Sequence, residues 1–340
     1  MNDKERFTKE KWKRGASGRG VGKLTLGLLA VGLCCLIGAA VGLPRTAFLQ
    51  IQSVFAQTSD RMRKHRKPLA AYRASSSPEE ETAASQPLKS GTCILANRQF
   101  TNLRPDDVTK PVYDRRTLEE RMAGNLPLEF PPISFYTEKK VAYLTFDDGP
   151  DRVNTPKILD ILEEYGVPAT FYVLGCRAEQ NPDVLQRIFH AGHAVGNHSF
   201  NHDYEALYAS TNEFLWQIIH TEEIIRDILG VRPLIVRAPG GTAEHFTQDY
   251  WRMMETHGYA VHDWNVCTND STGERPDAAR QLAYVTEQIG RPLKDDAAII
   301  LMHCVEDKEE TVKALPKIIE LLKAEGYTFG VVSPMTPQPY

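Results

Sequence analysis

The apolar positions of the chain follow three patterns. From Leu24 to Leu43 the sequence reads LTLGLLAVGLCCLIGAAVGL with no charged residue. About 20 such residues suffice to cross a bilayer core as a helix. Residues 57–92 are rich in Ser, Ala, Glu, Lys and Arg and hold few β-branched or aromatic side chains, so they bury no core of their own. From Lys140 onward, short apolar runs alternate with amphipathic stretches. The runs Val141–Phe146, Ala169–Leu174, Ala194–Gly196, Leu234–Arg237, Tyr259–Trp264, Ala297–Met302 and Phe329–Val332 predict strands. Between them, helices are predicted from Thr155 to Gly166 and over Pro182–Ala191, Asn212–Leu229, Gln248–His257, Ala278–Ile289 and Val312–Ala324. Seven strands alternating with six helices imply an α/β fold with a parallel sheet, either open or closed into a barrel.

Before the apolar run stand Lys4, Arg6, Lys9, Lys11, Lys13, Arg14, Arg19 and Lys23, and close behind it only Arg45. This bias predicts a cytoplasmic N-terminus and an extracytoplasmic remainder. A cleaved signal peptide is the alternative, with Ala40-Val41-Gly42 as a possible cleavage site. The expected organisation is a basic tail (1–23), a membrane anchor (24–43), a linker (44–92), an irregular lead-in broken by Pro111, Pro127, Pro131 and Pro132 (93–138), a catalytic domain (139–334) and a short tail (335–340).

Charge sharpens that division. The chain has 40 basic and 44 acidic residues, and the first 73 positions hold 15 and 4 of them, which leaves 25 against 40 in the remainder. A domain with a net charge of −15 is ill-suited to a nucleic-acid backbone, so nucleic-acid binding is set aside. The six cysteines show no close-spaced metal pattern. Buried or free thiols are the default, although Cys267 and Cys304, each just past a strand, are placed for a disulfide that an exported protein can keep.

In parallel α/β folds reactive groups gather at the carboxyl ends of strands. Here the first strand ends in Thr145-Phe146-Asp147-Asp148-Gly149-Pro150 and the third leads into His198-Ser199-Phe200-Asn201-His202, whose i, i+4 spacing suggests two imidazoles on one helical face. The fourth ends in Arg237-Ala238-Pro239-Gly240-Gly241, the fifth is followed by Cys267-Thr268-Asn269-Asp270, and the sixth ends in Leu301-Met302-His303. Taken singly, each has an ordinary explanation: a solvated turn, surface histidines, or a satisfied core histidine. Five at five strand ends supply the parts for metal-assisted hydrolysis: a cation site, a second carboxylate, an orienting Arg, a backbone donor and a separate His.

Over residues 139–334 the ordered set TFDDGP, HSFNH, RAPGG and LMH resembles the polysaccharide deacetylase family, the NodB-homology group or carbohydrate esterase family 4. The resemblance implies a distorted barrel of about seven parallel strands. It makes Asp148, His198 and His202 the ligands of a divalent metal, zinc by ligand type with cobalt or manganese as alternatives. It makes Asp147 the general base, held by Arg237, and His303 the general acid. The Gly240 N–H would meet the oxyanion and Leu301 would line the acetyl-methyl pocket. At the fourth motif the family often has Asp-Trp, and this chain has Asp270 followed by Ser271. Asp270 stays a candidate partner for His303. Asp263-Trp264 lies too early to fill that place.

The implied activity is removal of N-acetyl groups from an amino-sugar polymer, peptidoglycan being what an outward-facing anchored domain meets first. Poly-N-acetylglucosamine, chitin oligomers and acetylated xylan are alternatives within the class, and a catalytically silent wall-binding domain is the alternative outside it.

Overall fold

The computed structural model describes residues 93–103, 107–131 and 140–339. The expected membrane anchor and linker lie outside them. Among the described residues no helix is long and apolar enough to cross a membrane.

The lead-in is more ordered than its prolines predict. It carries β1 (Ile94–Leu95), β2 (Val112–Asp114) and α1 (Leu118–Ala123). Helix α1 starts with a capping box, in which the Thr117 side chain accepts from the Glu120 N–H and the Glu120 carboxylate accepts from the Thr117 N–H. The sequence then runs through β3 (Val141–Asp147), α2 (Thr155–Tyr165), β4 (Thr170–Val173), α3 (Gly175–Gln180), α4 (Pro182–His190), β5 (Ala194–Asn197), α5 (Tyr204–Leu207) and α6 (Thr211–Leu229). It continues through β6 (Arg232–Pro233), β7 (Ile235–Val236), α7 (Gln248–Thr256), β8 (Ala260–Val261), β9 (Val266–Cys267), α8 (Ala278–Ile289), β10 (Ala297–His303), α9 (Glu309–Ala324) and β11 (Thr328–Gly330). A small sheet, β1-β2-β6, fastens the lead-in to the main domain, with β6 antiparallel to β2.

Behind that sheet lies a buried charge network. Asp114 pairs with Arg121, Arg232 lies 3.8 Å from Asp114 and 2.8 Å from Glu222, and Tyr259 donates to Glu222. Buried charges are tolerated only when paired in this way, so the lead-in is integral to the folded unit. The C-terminal tail is integral too: Met335 and Thr336 are buried, and the Gln338 amide donates to the Val261 carbonyl.

The main sheet is parallel, in the order β8-β7-β5-β4-β3-β10-β9, with β11 beside the N-terminal half of β3. It holds eight strands where seven were expected. The predicted strand Tyr259–Trp264 is shorter, and Val266–Cys267 forms a strand of its own at the opposite edge. Residues 262–265 carry the chain between the two edges. The Asn265 side chain completes the crossing by bonding the Ala297 carbonyl and the Ile299 N–H of β10. This makes the barrel distorted, joined at that seam through the covalent chain.

Strands β3 and β10 are buried along their whole lengths and pair residue for residue, ending with His303 opposite Asp147. Ala142, Leu144 and Phe146 with Ala298, Ile300 and Met302 belong to the core under the helices. Val141, Tyr143, Ala297 and Ile299 belong to the opposite cluster inside the barrel. Strand alternation therefore places Thr145, Asp147, Leu301 and His303 on the inner face.

Candidate active site

Asp147 ends β3 almost fully buried, and Arg237 holds it. The Arg237 guanidinium donates to Asp147 Oδ1 (3.0 Å), to Thr145 Oγ1 (2.6 Å) and to the carbonyls of His262 and Asp263 (3.1 Å each). Its face lies 4.3 Å from the centre of the Tyr172 ring. Thr145 in turn donates to the Ile300 carbonyl at 2.7 Å. Arg237 is itself fully buried, and this set of partners compensates its charge.

Asp148 turns the other way. Its φ of 73° is left-handed, as are those of Ser199 (75°) and His202 (59°). Such angles strain a side-chain-bearing residue and persist where the surroundings dictate them. They also show that His198 and His202 do not share a helical face, as their spacing suggested. They converge from a loop after β5 whose turn is made by the left-handed residues.

His198 Nδ1 lies 2.8 Å from the Arg237 carbonyl. A carbonyl only accepts, so Nδ1 carries a proton and Nε2 is the nitrogen turned toward the carboxylates. That Nε2 is 3.6 Å from Asp148 Oδ1, and His202 Nε2 is 3.7 Å from the same oxygen. These separations are too long for hydrogen bonds, and Asp148 Oδ1 has no hydrogen-bond partner among the described residues although it is buried. Ligand atoms of the three residues lie within 4.8 Å of one another. A tetrahedral ion with ligands at about 2.1 Å needs them about 3.4 Å apart. The trio thus fits a divalent cation by donor type and by its orphaned oxygen. Burial would raise the Asp148 pKa, but His198, His303 and His202 outweigh it and hold the carboxyl below its ordinary range. Burial, reinforced by His198, pushes the His202 pKa down and favours the neutral imidazole that ligation requires.

Across the cleft, His303 Nδ1 is 2.8 Å from Asp270 Oδ1. Asp270 Oδ2 accepts from the His303 N–H and from Thr311 Oγ1, each at 2.8 Å. Burial alone would depress the His303 pKa, but the Asp270 hydrogen bond and charge, with Asp147 and Asp148 adding to them, raise it to about 9. The ring nitrogen not bound to Asp270 is Nε2, which carries a proton at neutral pH. Leu301 precedes His303 by two residues on the same inner face. Gly240, exposed at φ 75°, lies at the mouth of the site near Tyr204.

Fold and geometry together bring Asp147, Asp148, His198, His202 and Arg237 into one contact set and join it to the His303–Asp270 pair through the β3–β10 register. The default reading of free thiols holds for Cys267 and Cys304, and the alternative disulfide between them does not form. Cys304 follows the inward His303, so alternation turns it to the outer face, where its thiol points at the Asp147 carbonyl (3.5 Å). Cys267 instead accepts from the Asn269 N–H.

Sequence reasoning missed Thr145, Thr311 and Asp263. The Asp263 carboxylate accepts from both the N–H and the hydroxyl of Thr242 and so braces the Gly240-Gly241 turn. Strand alternation could have found Thr145, two residues before Asp147. Thr311 gave no local signal, and Asp263 was visible only as an Asp-Trp pair too early for the fourth motif. Trp264, set aside from the fourth-motif alignment, packs at this turn: its ring would sit 3.1 Å from a Cβ on Gly241.

The sequence profile of the polysaccharide deacetylase family matches residues 136–262. A peptidoglycan-N-acetylglucosamine deacetylase of Bacillus cereus is 35% identical over 202 residues, covering 59% of this chain and 69% of that protein. The chain belongs to the polysaccharide deacetylase family. A peptidoglycan-N-acetylglucosamine deacetylase of Listeria monocytogenes is 34% identical, over 58% of this chain and 38% of that protein. Among solved structures, a carbohydrate esterase family 4 enzyme of Streptococcus mutans superposes with a TM-score of 0.54 at 34% identity, covering 57% of this chain and 86% of that one. The chain is thus a deacetylase enzyme, and its barrel is the family's α/β fold.

Proposed function

We propose that this deacetylase is metal-dependent and removes N-acetyl groups from the amino sugars of peptidoglycan, outside the membrane to which residues 24–43 anchor it. The observation that carries this reading is the pairing of an Arg-held carboxylate with a protonated histidine across adjacent strands, beside a trio of metal-type ligands. Relatives named for peptidoglycan N-acetylglucosamine support the substrate. The basic residues ahead of an uncharged apolar run support the setting, and the acidic catalytic part argues against a nucleic-acid partner.

Asp148, His198 and His202 would hold the cation, zinc by their donor set with cobalt or manganese as alternatives, and it would supply Lewis acidity at the acetamide oxygen. Asp147, held in place by Arg237, takes a proton from the attacking water. The Gly240 N–H donates to the developing oxyanion. Leu301 receives the acetyl methyl. His303 delivers its Nε2 proton to the leaving amine, and Asp270 keeps that proton in place while fixing the ring. The test is acetate release from purified peptidoglycan by the metal-loaded full chain beside Asp147→Asn and His198→Ala. Release that disappears in both variants supports the reading. Release only from chitin oligomers, poly-N-acetylglucosamine or acetylated xylan would replace the substrate, and no release from any would overturn the enzymatic part.

A further inference from the structure

Among the described residues only two large hydrophobic side chains are exposed, Val153 and Tyr204, and Tyr204, 43% exposed, stands at the mouth of the site. It opens α5, which Asp203 caps by accepting from the Ala206 N–H. Its ring meets His202 edge to face, with centres 5.0 Å apart and planes at 80°. Behind it lie Tyr208 at 6.1 Å and His245 at 5.6 Å, and those two stack on each other at 4.1 Å. Tyr208 is fastened further by a 2.7 Å hydrogen bond to the Pro239 carbonyl.

Gly240 makes room for this ring. A Cβ at 240 would lie 2.9 Å from the Tyr204 hydroxyl, 3.0 Å from its ring and 3.1 Å from His245 Nε2, and the φ of 75° would strain any side chain there. The first glycine of the pair in RAPGG thus does more than free a backbone N–H. It lets an aromatic face stand open beside the metal-type trio, supported from behind and free in front. The Tyr204 hydroxyl makes no hydrogen bond to a described residue, so it too is available.

An exposed, backed aromatic face suits the apolar C–H face of a pyranose, because the electron-rich ring attracts those hydrogens while the sugar hydroxyls stay at its edge. We propose that Tyr204 is the platform on which a sugar ring of the polymer rests, and that it sets affinity for the chain rather than the rate of deacetylation. This rests on the amino-sugar reading above.

The test uses the full-length, metal-loaded protein and a β-1,4-linked N-acetylglucosamine pentamer, with Tyr204→Ala, Tyr204→Phe and Tyr204→Trp. Tyr204→Ala should raise KM about five- to tenfold and leave kcat within about twofold, whereas the Phe and Trp variants should stay near wild type in KM. Binding of the pentamer to Asp147→Asn and to the Asp147→Asn/Tyr204→Ala double variant, followed by calorimetry, should show the same loss without turnover. Bound metal per chain should be unchanged in every variant. An unaltered KM and pentamer affinity in Tyr204→Ala, or a fall in kcat that tracks loss of metal, would overturn the platform and leave the ring as packing for His202. Absence of acetate release by wild type from any acetylated amino-sugar polymer would instead remove the reading on which the platform rests.

Discussion

On the β3–β5 side of the cleft, Asp148 and His202 sit at left-handed backbone angles, and Asp148 Oδ1 has no hydrogen-bond partner among the described residues. On the β10 side, both carboxylate oxygens of Asp270 are engaged, by the His303 ring, the His303 N–H and Thr311. The first half is strained and unsatisfied as protein alone; the second is complete. That contrast is what the proposed metal dependence accounts for: the first half offers a cation three donors and an unpartnered oxygen. The second half holds its histidine in a full set of hydrogen bonds from the protein itself.

The largest expected effect falls on the unsatisfied half. His198→Ala, or chelation of the wild type, should lower kcat/KM by about 10³-fold or more, as expected for loss of several kcal/mol of charge stabilisation. Added zinc should restore the chelated wild type and leave the variant inactive. If the variant kept its activity, the trio would not be a metal site. Asp147→Asn should cost about 10²- to 10⁴-fold in kcat, the range for a general base. Its bound metal, measured by elemental analysis, should stay unchanged, which separates base from ligand.

The complete half is tested by pH. In the proposed mechanism the rate needs His303 protonated, so activity should fall as pH rises through about 9. In Asp270→Asn the burial that depresses the His303 pKa is no longer opposed by that carboxylate. The alkaline limb should therefore move to lower pH, with kcat near neutrality down roughly 10- to 100-fold. A limb that stays in place would detach Asp270 from the proton's affinity. The smallest effect is expected at the seam between the halves. Thr145→Val keeps the shape but removes an acceptor from buried Arg237 and should cost about 1–3 kcal/mol of stability in denaturant titration. The loss in kcat should stay within about tenfold, since Asp147 keeps its direct bond to Arg237.

Much of the site was legible because polar residues interrupt apolar runs at strand ends, where a parallel fold collects them. Asp147-Asp148, His198, His202, Arg237 and His303 all stand out in this way. Other parts were not legible for an equally physical reason. Strand β3 is buried on both faces, so alternation puts Thr145 and Asp147 on one face but its composition does not report that this face is the inner one. Asp114, Arg121, Glu222 and Arg232 look like surface charges in sequence, yet they are buried together and tie the lead-in to the domain. The i, i+4 spacing of His198 and His202 was informative about their chemistry and misleading about their conformation. Spacing records proximity along the chain, and the left-handed loop achieves the same proximity without a helix.

By itself the sequence determined the α/β rhythm, the order of the strands along the chain and the identity of the ionisable groups, because burial and local hydrogen bonding act over a few residues. Only the tertiary structure decided the neighbours: β10 beside β3 with His303 opposite Asp147, the crossing at residues 262–265, and Tyr204 over Gly240. Those contacts join residues up to 150 or more positions apart, and their register depends on how whole faces pack, which no local pattern encodes.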